Sequence, residues 1–478
     1  MATNNTRQSL TRKTLRSSIL DGVCHSAMLG LTQSYVVPFA LALRANTAQV
    51  GLLSSIPSLT MALSQLAAPH LTRKAGSRKR LILPVVLMHA LMWIPVLLIP
   101  YLFPGDKVWW LIGIMTLSAV FGSLAIPAWG SMMADLVPEN TRGRYFSQRS
   151  RICDFVMLVV SLVAGGILQW TTGSPFLGFS VIFACAVIAR LISWYFLSRM
   201  HEPLLKESTN NSNLLNVIKG MRSSNLGKFI TYISLINFAT SLSGPFFAVY
   251  MLRDLGFDYL TYVAINATST IATVAFLAQW GKRADRAGNI KVMRITSFLI
   301  PLVPLLWLVS KQVYYLIPIQ VISGFAWSGF TLASGNFLYD ASPRENRTQS
   351  IAIFNAVNGV AICLGALAGG FLAPNLPHLL GNNLLSLFLV SGALRGCVVV
   401  LLLHKISEVR HVPKVSSLEL LFGKPFSIWV GLKNRVKSIL LPFMRLEVVP
   451  AASLEPVTVS WTYQFTEASR SPPFFDDS

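Results

Sequence analysis

Asp-Leu-Val-Pro at 135–138, with Arg142 four residues further on, closes one long apolar stretch of this 478-residue chain. Asp-Ala-Ser-Pro at 340–343, followed in the same way by Arg347, closes another about 205 residues later. Working outward, the correspondence continues on both sides. Upstream, Ala128-Trp129-Gly130 returns as Ala333-Ser334-Gly335; downstream, Ala164-Gly165-Gly166-Ile167-Leu168 returns as Ala368-Gly369-Gly370-Phe371-Leu372. Arg190, set within an apolar stretch, has its counterpart in Arg395, and Pro38-Phe39 in Pro245-Phe246. One such pair would mean little. Together they keep one order, nearly one spacing and matching depths, which is the mark of an internal repeat.

The repeated unit is built of membrane spans. Hydrophobic residues make up 53% of the chain and charged residues only 12%, about half the charge of a soluble domain; mean hydropathy is +0.56. Stretches of about 20 apolar residues, the length a helix needs to cross a hydrocarbon core of roughly 30 Å, alternate with short charged connections. Twelve spans are expected: 18–43, 47–68, 81–103, 108–134, 147–170 and 176–198 in the first half, then 229–252, 259–280, 292–310, 314–339, 350–374 and 384–404 in the second. The chain thus reads as an all-α integral membrane protein, with an N-terminal arm at 1–17, a six-helix bundle at 18–200, a polar linker at 201–228, a second six-helix bundle at 229–404 and a tail at 405–478. Within the tail, 426–441 mixes Ile428, Trp429 and Val430 with Lys433, Arg435 and Lys437, a pattern for an amphipathic helix lying on the bilayer surface.

Forty Lys and Arg against nineteen Asp and Glu give a formal charge of +21. A nucleic-acid binder would gather such charge on a soluble face; here it sits in the connections, so the partner it indicates is the lipid bilayer. Arg7, Arg12, Lys13 and Arg16 precede the first span, Arg73 to Arg80 follow the second, Arg142 to Arg151 the fourth, Lys282 to Arg294 the eighth, and Arg344 with Arg347 the tenth. The odd-numbered connections are nearly empty of basic residues. Because short Lys/Arg-rich connections stay in the cytoplasm, both termini are expected there, in a multi-pass protein of the cell membrane. The five cysteines all fall in apolar stretches, with neither metal spacing nor a disulfide framework.

With two parallel six-span repeats, the chain resembles the major facilitator superfamily over nearly all of 18–404. That family's loop signature, Gly-x-x-x-Asp-Arg-x-Gly-Arg-Arg, is similar to Gly281, Asp285, Arg286, Gly288 and Lys291 after the eighth span. The first-half copy keeps Gly76 and Arg78, with Lys79 and Arg80, but has Pro69 for the first Gly and Arg73 for the Asp. The resemblance implies a cytoplasmic latch in which Asp285 accepts hydrogen bonds from the start of the fifth span, near 147–151, favoured by the helix dipole. Alternatively, Asp285 and Arg286 cap their own loop. Asp135 with Arg142, and Asp340 with Arg347, are candidates to anchor the adjoining basic connections.

Charges inside spans are costly, about 2.5–3.5 kcal/mol at a helix centre on insertion scales, and so face a partner or a cavity. Asp21, Arg190 and Asp154 lie at similar depths and form a candidate cluster; Arg395 has no matching acid, since Asn358 stands where Asp154 would be. Asp21, His25 and Thr32 share a face of the first span. Gln33, Trp129, Asn237, Asn266, Gln320, Trp327, Asn336, Asn355 and Asn358 complete the candidate cavity lining, on spans that the resemblance places around a central cavity. The family's charged fourth-span motif and its full Gly-Pro-x-x-Gly-Gly signature do not occur: 109–122 is uncharged and Ser161-Leu162 stands in place of Gly-Pro. No nucleotide loop, metal cluster or nucleophile elbow is found, so neither an enzyme nor a cofactor is indicated. The expectation is a monomeric secondary transporter for a small organic solute, with or without a coupled ion, working by rocking its halves. The alternative is a transport-inactive relative that uses its tail to bind a partner.

Overall fold

The computed structural model describes residues 2–137, 139–171, 173–203, 224–342, 347–379, 381–410 and 412; side chains are described for these except at 2–12, 134, 139–144, 147, 175 and 347–349. The amphipathic segment expected at 426–441 and most of the linker lie outside the described residues. The described helices belong to one unit, Met1–Leu421.

Eleven helices among the described residues are long and apolar enough to cross a bilayer: Thr47–Ala75, Arg78–Leu102, Lys107–Met133, Gln148–Trp170 and Phe176–Ser198, then Asn225–Asp254, Tyr259–Ala287, Asn289–Leu306, Val313–Ala341, Ser350–Asn375 and Asn383–Lys405. The remaining span, the first, is divided between Ala2–Thr32 and Val36–Ala42. Its lower apolarity follows from Asp21, His25 and Gln33. The helix also begins well before the apolar stretch, running through most of the arm read as 1–17; once a helix is nucleated, each added residue gains a hydrogen bond at little cost.

Polar residues in the tight connections cap the spans they precede. The Asn46 side chain accepts from the Gln49 amide at 2.8 Å while Gln49 Oε1 accepts from the Asn46 amide at 3.0 Å, satisfying two donors at the start of the second span. Asp106 accepts from the Val108 amide at 3.0 Å to start the fourth, and Asp258 from the Thr261 amide at 2.6 Å to start the eighth. Proline accounts for matching interruptions in the second half: the seventh span breaks at Gly244-Pro245 and the ninth at Ile300-Pro301, where a missing amide donor ends the regular ladder.

Packing repeats along with the sequence. The first span packs on the fifth and sixth as the seventh does on the eleventh and twelfth; the second and third pack on the fourth as the eighth and ninth do on the tenth. The halves meet through two symmetry-related pairs, the second span with the eleventh and the fifth with the eighth. At the second–eleventh crossing the backbones nearly touch: a Cβ on Gly51 would lie 2.8 Å from the Ala366 carbonyl oxygen and 2.9 Å from Gly370 Cα, so only glycine permits this approach.

The cores differ between the two ends of the bundle. At the end away from the basic connections, one apolar core draws on both halves, joining Tyr35, Phe39, Val50 and Leu168 to Phe246, Tyr250, Val263 and Phe388. At the basic end each half keeps a core of its own, around Met132, Met133 and Leu197 in the first and around Phe229, Trp280 and Phe337 in the second.

Candidate functional site

A buried polar cluster occupies the first half. Ser193 Oγ, on the sixth span, donates to Asp21 Oδ1 at 2.7 Å, and Arg190 Nη1 donates to Ser193 Oγ at 3.0 Å. Arg190 Nη1 also lies 2.7 Å from His25 Nδ1, a contact that requires this nitrogen to be the unprotonated acceptor. Arg149, on the fifth span, approaches Asp21 Oδ2 at 3.7 Å, donates from Nε to the Ser18 carbonyl at 3.1 Å and stacks over the Trp129 ring at 4.4 Å. Asp21 and Arg190 are therefore linked through Ser193, and Asp21 is ion-paired with Arg149. Asp154, the third expected member, is exposed and lies outside. It sits 11 residues before Gly165, three helical turns on the same face, and a Cβ at Gly165 would meet Tyr35 Oη at 3.2 Å and Val263 at 3.4 Å. Asp154 thus lies on the face of the fifth span that meets the other half at Gly165.

The second half repeats the geometry with different chemistry. Arg395 is buried, and its partners are neutral: Ser391 Oγ at 3.2 Å, Ser243 Oγ at 2.8 Å and the Ile300 and Thr240 carbonyls at 3.4 Å. Tyr232 Oη donates to Ser297 Oγ at 2.6 Å.

The expected cavity residues divide into those held by hydrogen bonds and others that range from buried to exposed. Thr32 Oγ1 bonds back to the Met28 carbonyl at 2.8 Å, and Asn266 Nδ2 to the Tyr262 carbonyl at 2.9 Å. Asn237 Nδ2 donates to Asn358 Oδ1 at 2.7 Å, tying the seventh span to the eleventh. Gln320 is buried; Trp327, which stacks edge-on with Phe330, and Asn336 are half-buried; Gln33 and Asn355 are exposed.

At the end away from the basic connections, bonds between the halves accompany the shared core. Tyr262 Oη donates to the Ser34 carbonyl at 3.1 Å, Arg253 Nη1 reaches Thr47 Oγ1 at 3.5 Å, and Phe179 packs edge-on against Tyr259 with ring centroids 5.7 Å apart.

At the basic end several motif residues bond within their own halves among the described residues. Arg78 Nη2 pairs with Asp135 Oδ2 at 2.6 Å, and the Arg78 amide donates to Glu202 Oε1 at 2.6 Å. In the second half Asn289 Nδ2 donates to Asp340 Oδ2 at 2.9 Å, and the Ile290 amide to Glu408 Oε2 at 2.8 Å. Asp285 is 79% exposed; among the described residues it is ion-paired with Arg410 at 3.9 Å, in its own half. Gly76 and Gly288 take φ of 67° and 88°, conformations that glycine adopts without strain. A Cβ on Gly281 would make an ordinary contact with Leu332 Cδ2 at 3.8 Å; Arg286 is exposed and Lys291 half-buried. The side chains of Arg142 and Arg347 lie outside the described residues. Sequence reasoning missed Glu202, Glu408 and Arg410, which follow the sixth and twelfth spans; a carboxylate recurring at nearly the repeat spacing is the signal that could have found the two glutamates. It also missed Arg149 and Ser193.

Two matches to the family model described as Major Facilitator Superfamily cover residues 22–265 and 229–465. No curated protein matches the sequence. Among solved structures, the nucleoside transporter NupG aligns at 15% identity and TM-score 0.62, covering 82% of this chain and 97% of its own. A D-xylose–proton symporter aligns at 14% and 0.63, with coverages of 85% and 99%. The xylose transporter XylE from E. coli, in an inward-open conformation, aligns at 15% and 0.58, with coverages of 87% and 99%.

Proposed function

The chain belongs to the major facilitator superfamily, and from that premise we propose that it is a secondary transporter that carries a small organic solute across the cell membrane by alternating access. The observation that carries this reading is the difference between the two ends: one core and several bonds join the halves at one end, while each half keeps a core of its own at the other. A channel would need both ends open together, and a rigid scaffold would have no reason to seal one end only.

With the basic connections in the cytoplasm, this is the inward-open state, and both termini are cytoplasmic. Solute enters between the halves from the basic end and meets Asn237, Asn355, Asn358, Trp327 and Asp154. Closure brings Asp285 from its own half to the amides opening the fifth span. The glycine crossing of Gly51 with Gly370 and the Tyr262–Ser34 bond then part at the other end. In the open state Asp135 and Asp340 hold the basic connections of their own halves. The neighbours named above carry different solutes at low identity, so their shared fold does not select one for this chain.

The test is a thermal-stabilisation screen of purified protein across sugars, amino acids, nucleosides and drugs, followed by counterflow in liposomes with each solute that raises the melting temperature. A ligand at 100 times its Kd stabilises by about 2.7 kcal/mol, well within reach of the assay. Counterflow of at least one stabilising solute is expected; its absence for all of them would leave the transporter reading without support.

A further inference from the structure

Beyond the twelfth span the chain turns back across the basic end of the second half. Ser407 is fastened to the start of the seventh span, its amide donating to Asn225 Oδ1 at 3.0 Å and its carbonyl accepting from Asn225 Nδ2 at 2.7 Å. Glu408 then accepts the free Ile290 amide at the opening of the ninth span. It lies so close to Gly288 that a Cβ there would strike its carboxylate and would lie 3.0 Å from Val412 Cγ2. Arg410 follows. Its guanidinium grips Asp340, with Nε 2.7 Å from Oδ2 and Nη2 3.1 Å from Oδ1, a two-pronged geometry, while Nη1 faces Asp285 at 3.9 Å. The short strap 407–410 thus spans the start of the seventh span, the connection between the eighth and ninth, and the end of the tenth.

We propose that Arg410 is a gating residue: it holds the Asp285 carboxylate on its own half while the cleft is open, and so competes with the first half for the latch. The bidentate hold on Asp340 fixes the guanidinium, and the Nη1 left over is the one turned to Asp285. Asp285 is 79% exposed, so it is free to swing, and the pair is weak enough to be exchanged on each cycle. In the first half the equivalent carboxylate is missing, Arg73 standing in its place, so the competition acts on one side only. Because Arg410 leads directly into the tail from 413 onward, any binding event that pulls the strap away would move the transporter toward its closed-cytoplasm state. This rests on the alternating-access reading.

The experiment uses the full chain with its five native cysteines replaced by alanine and spin labels on Arg80→Cys and Arg294→Cys, exposed positions at the basic ends of the third and ninth spans. Pulsed-dipolar distances then report open and closed populations without any solute. Arg410→Ala is expected to raise the closed fraction relative to the open by about two- to five-fold, the range for an exposed ion pair. In an Asp285→Asn background the same substitution is expected to change nothing further. Arg410→Gln, which keeps a donor toward Asp340, serves if the alanine variant is too unstable to label. Unchanged populations, or an equal shift with and without Asp285, would overturn the proposal, since a purely structural strap acts independently of that carboxylate. Counterflow measured on the same variants separates this failure from failure of the transporter reading: transport with unchanged populations refutes the role of Arg410 alone.

Discussion

Arg190 and Arg395 occupy matching places in the two halves but are neutralised differently, and the difference predicts different costs of removal. Replacing Arg190 by Met takes away the buried cation that reaches Asp21 through Ser193, and leaves Asp21, buried to 4% exposure, with Ser193 and the Arg149 ion pair at 3.7 Å. Removing one cation from a buried charge cluster costs up to about 3–5 kcal/mol, the figure for breaking a direct buried pair. Arg395→Met strands no carboxylate, and Ser243 and Ser391 keep their own 2.9 Å bond; the loss is that of hydrogen bonds, about 1–3 kcal/mol. Unfolding of both variants in mixed micelles should therefore find Arg190→Met the less stable; the reverse order would show that Asp21 does not depend on Arg190. Asp21 and Arg190 could be read from sequence because a charge inside an apolar stretch is conspicuous. Arg149 could not, since it stands at a span boundary among other basic residues, and Ser193 could not, since its role comes from a partner 172 positions away.

Among the elements, the crossing of the second and eleventh spans is the tightest seam between halves, and it tolerates no side chain at Gly51. Gly51→Val would push the backbones apart, and overpacking of this kind costs about 1–3 kcal/mol, enough to shift the balance toward a state in which the seam is open. In a background without the native cysteines, Ser55→Cys, whose parent residue is fully buried one turn below Gly51, should react with an impermeant thiol reagent about ten-fold faster when Gly51→Val is present. No change in labelling would mean that the seam opens elsewhere. Most span boundaries could be read because length and charge both mark them. The proline breaks in the seventh and ninth spans were not foreseen, although their residues were visible, because proline alone does not distinguish a kinked span from two. The helical arm before the first span was also hidden: its run of Ser, Thr and Arg carries no apolar period, and the helix there is an extension of one nucleated further along.

For the whole molecule, the repeat made the pairing of spans readable, since two halves that match in sequence must match in packing. Which end is closed could not be read, because both ends are present in the sequence and only their relative free energies choose between them. Alternating access makes a demand that neither half meets alone: the sealed end must part once per cycle. Arg253 Nη1 and Thr47 Oγ1 lie 3.5 Å apart across that end, so Thr47→Cys with Arg253→Cys can be joined by a short bifunctional thiol reagent. The cross-linked protein should still bind from the basic end, keeping the melting shift produced by its solute, while counterflow falls at least about ten-fold, the loss expected when a state needed in each cycle is removed. Binding and transport would then be separated by one covalent tie, far from the polar cleft. If counterflow survives with the tie in place, solute does not pass between the halves at this seam, and the rocking mechanism is wrong whatever the solute proves to be.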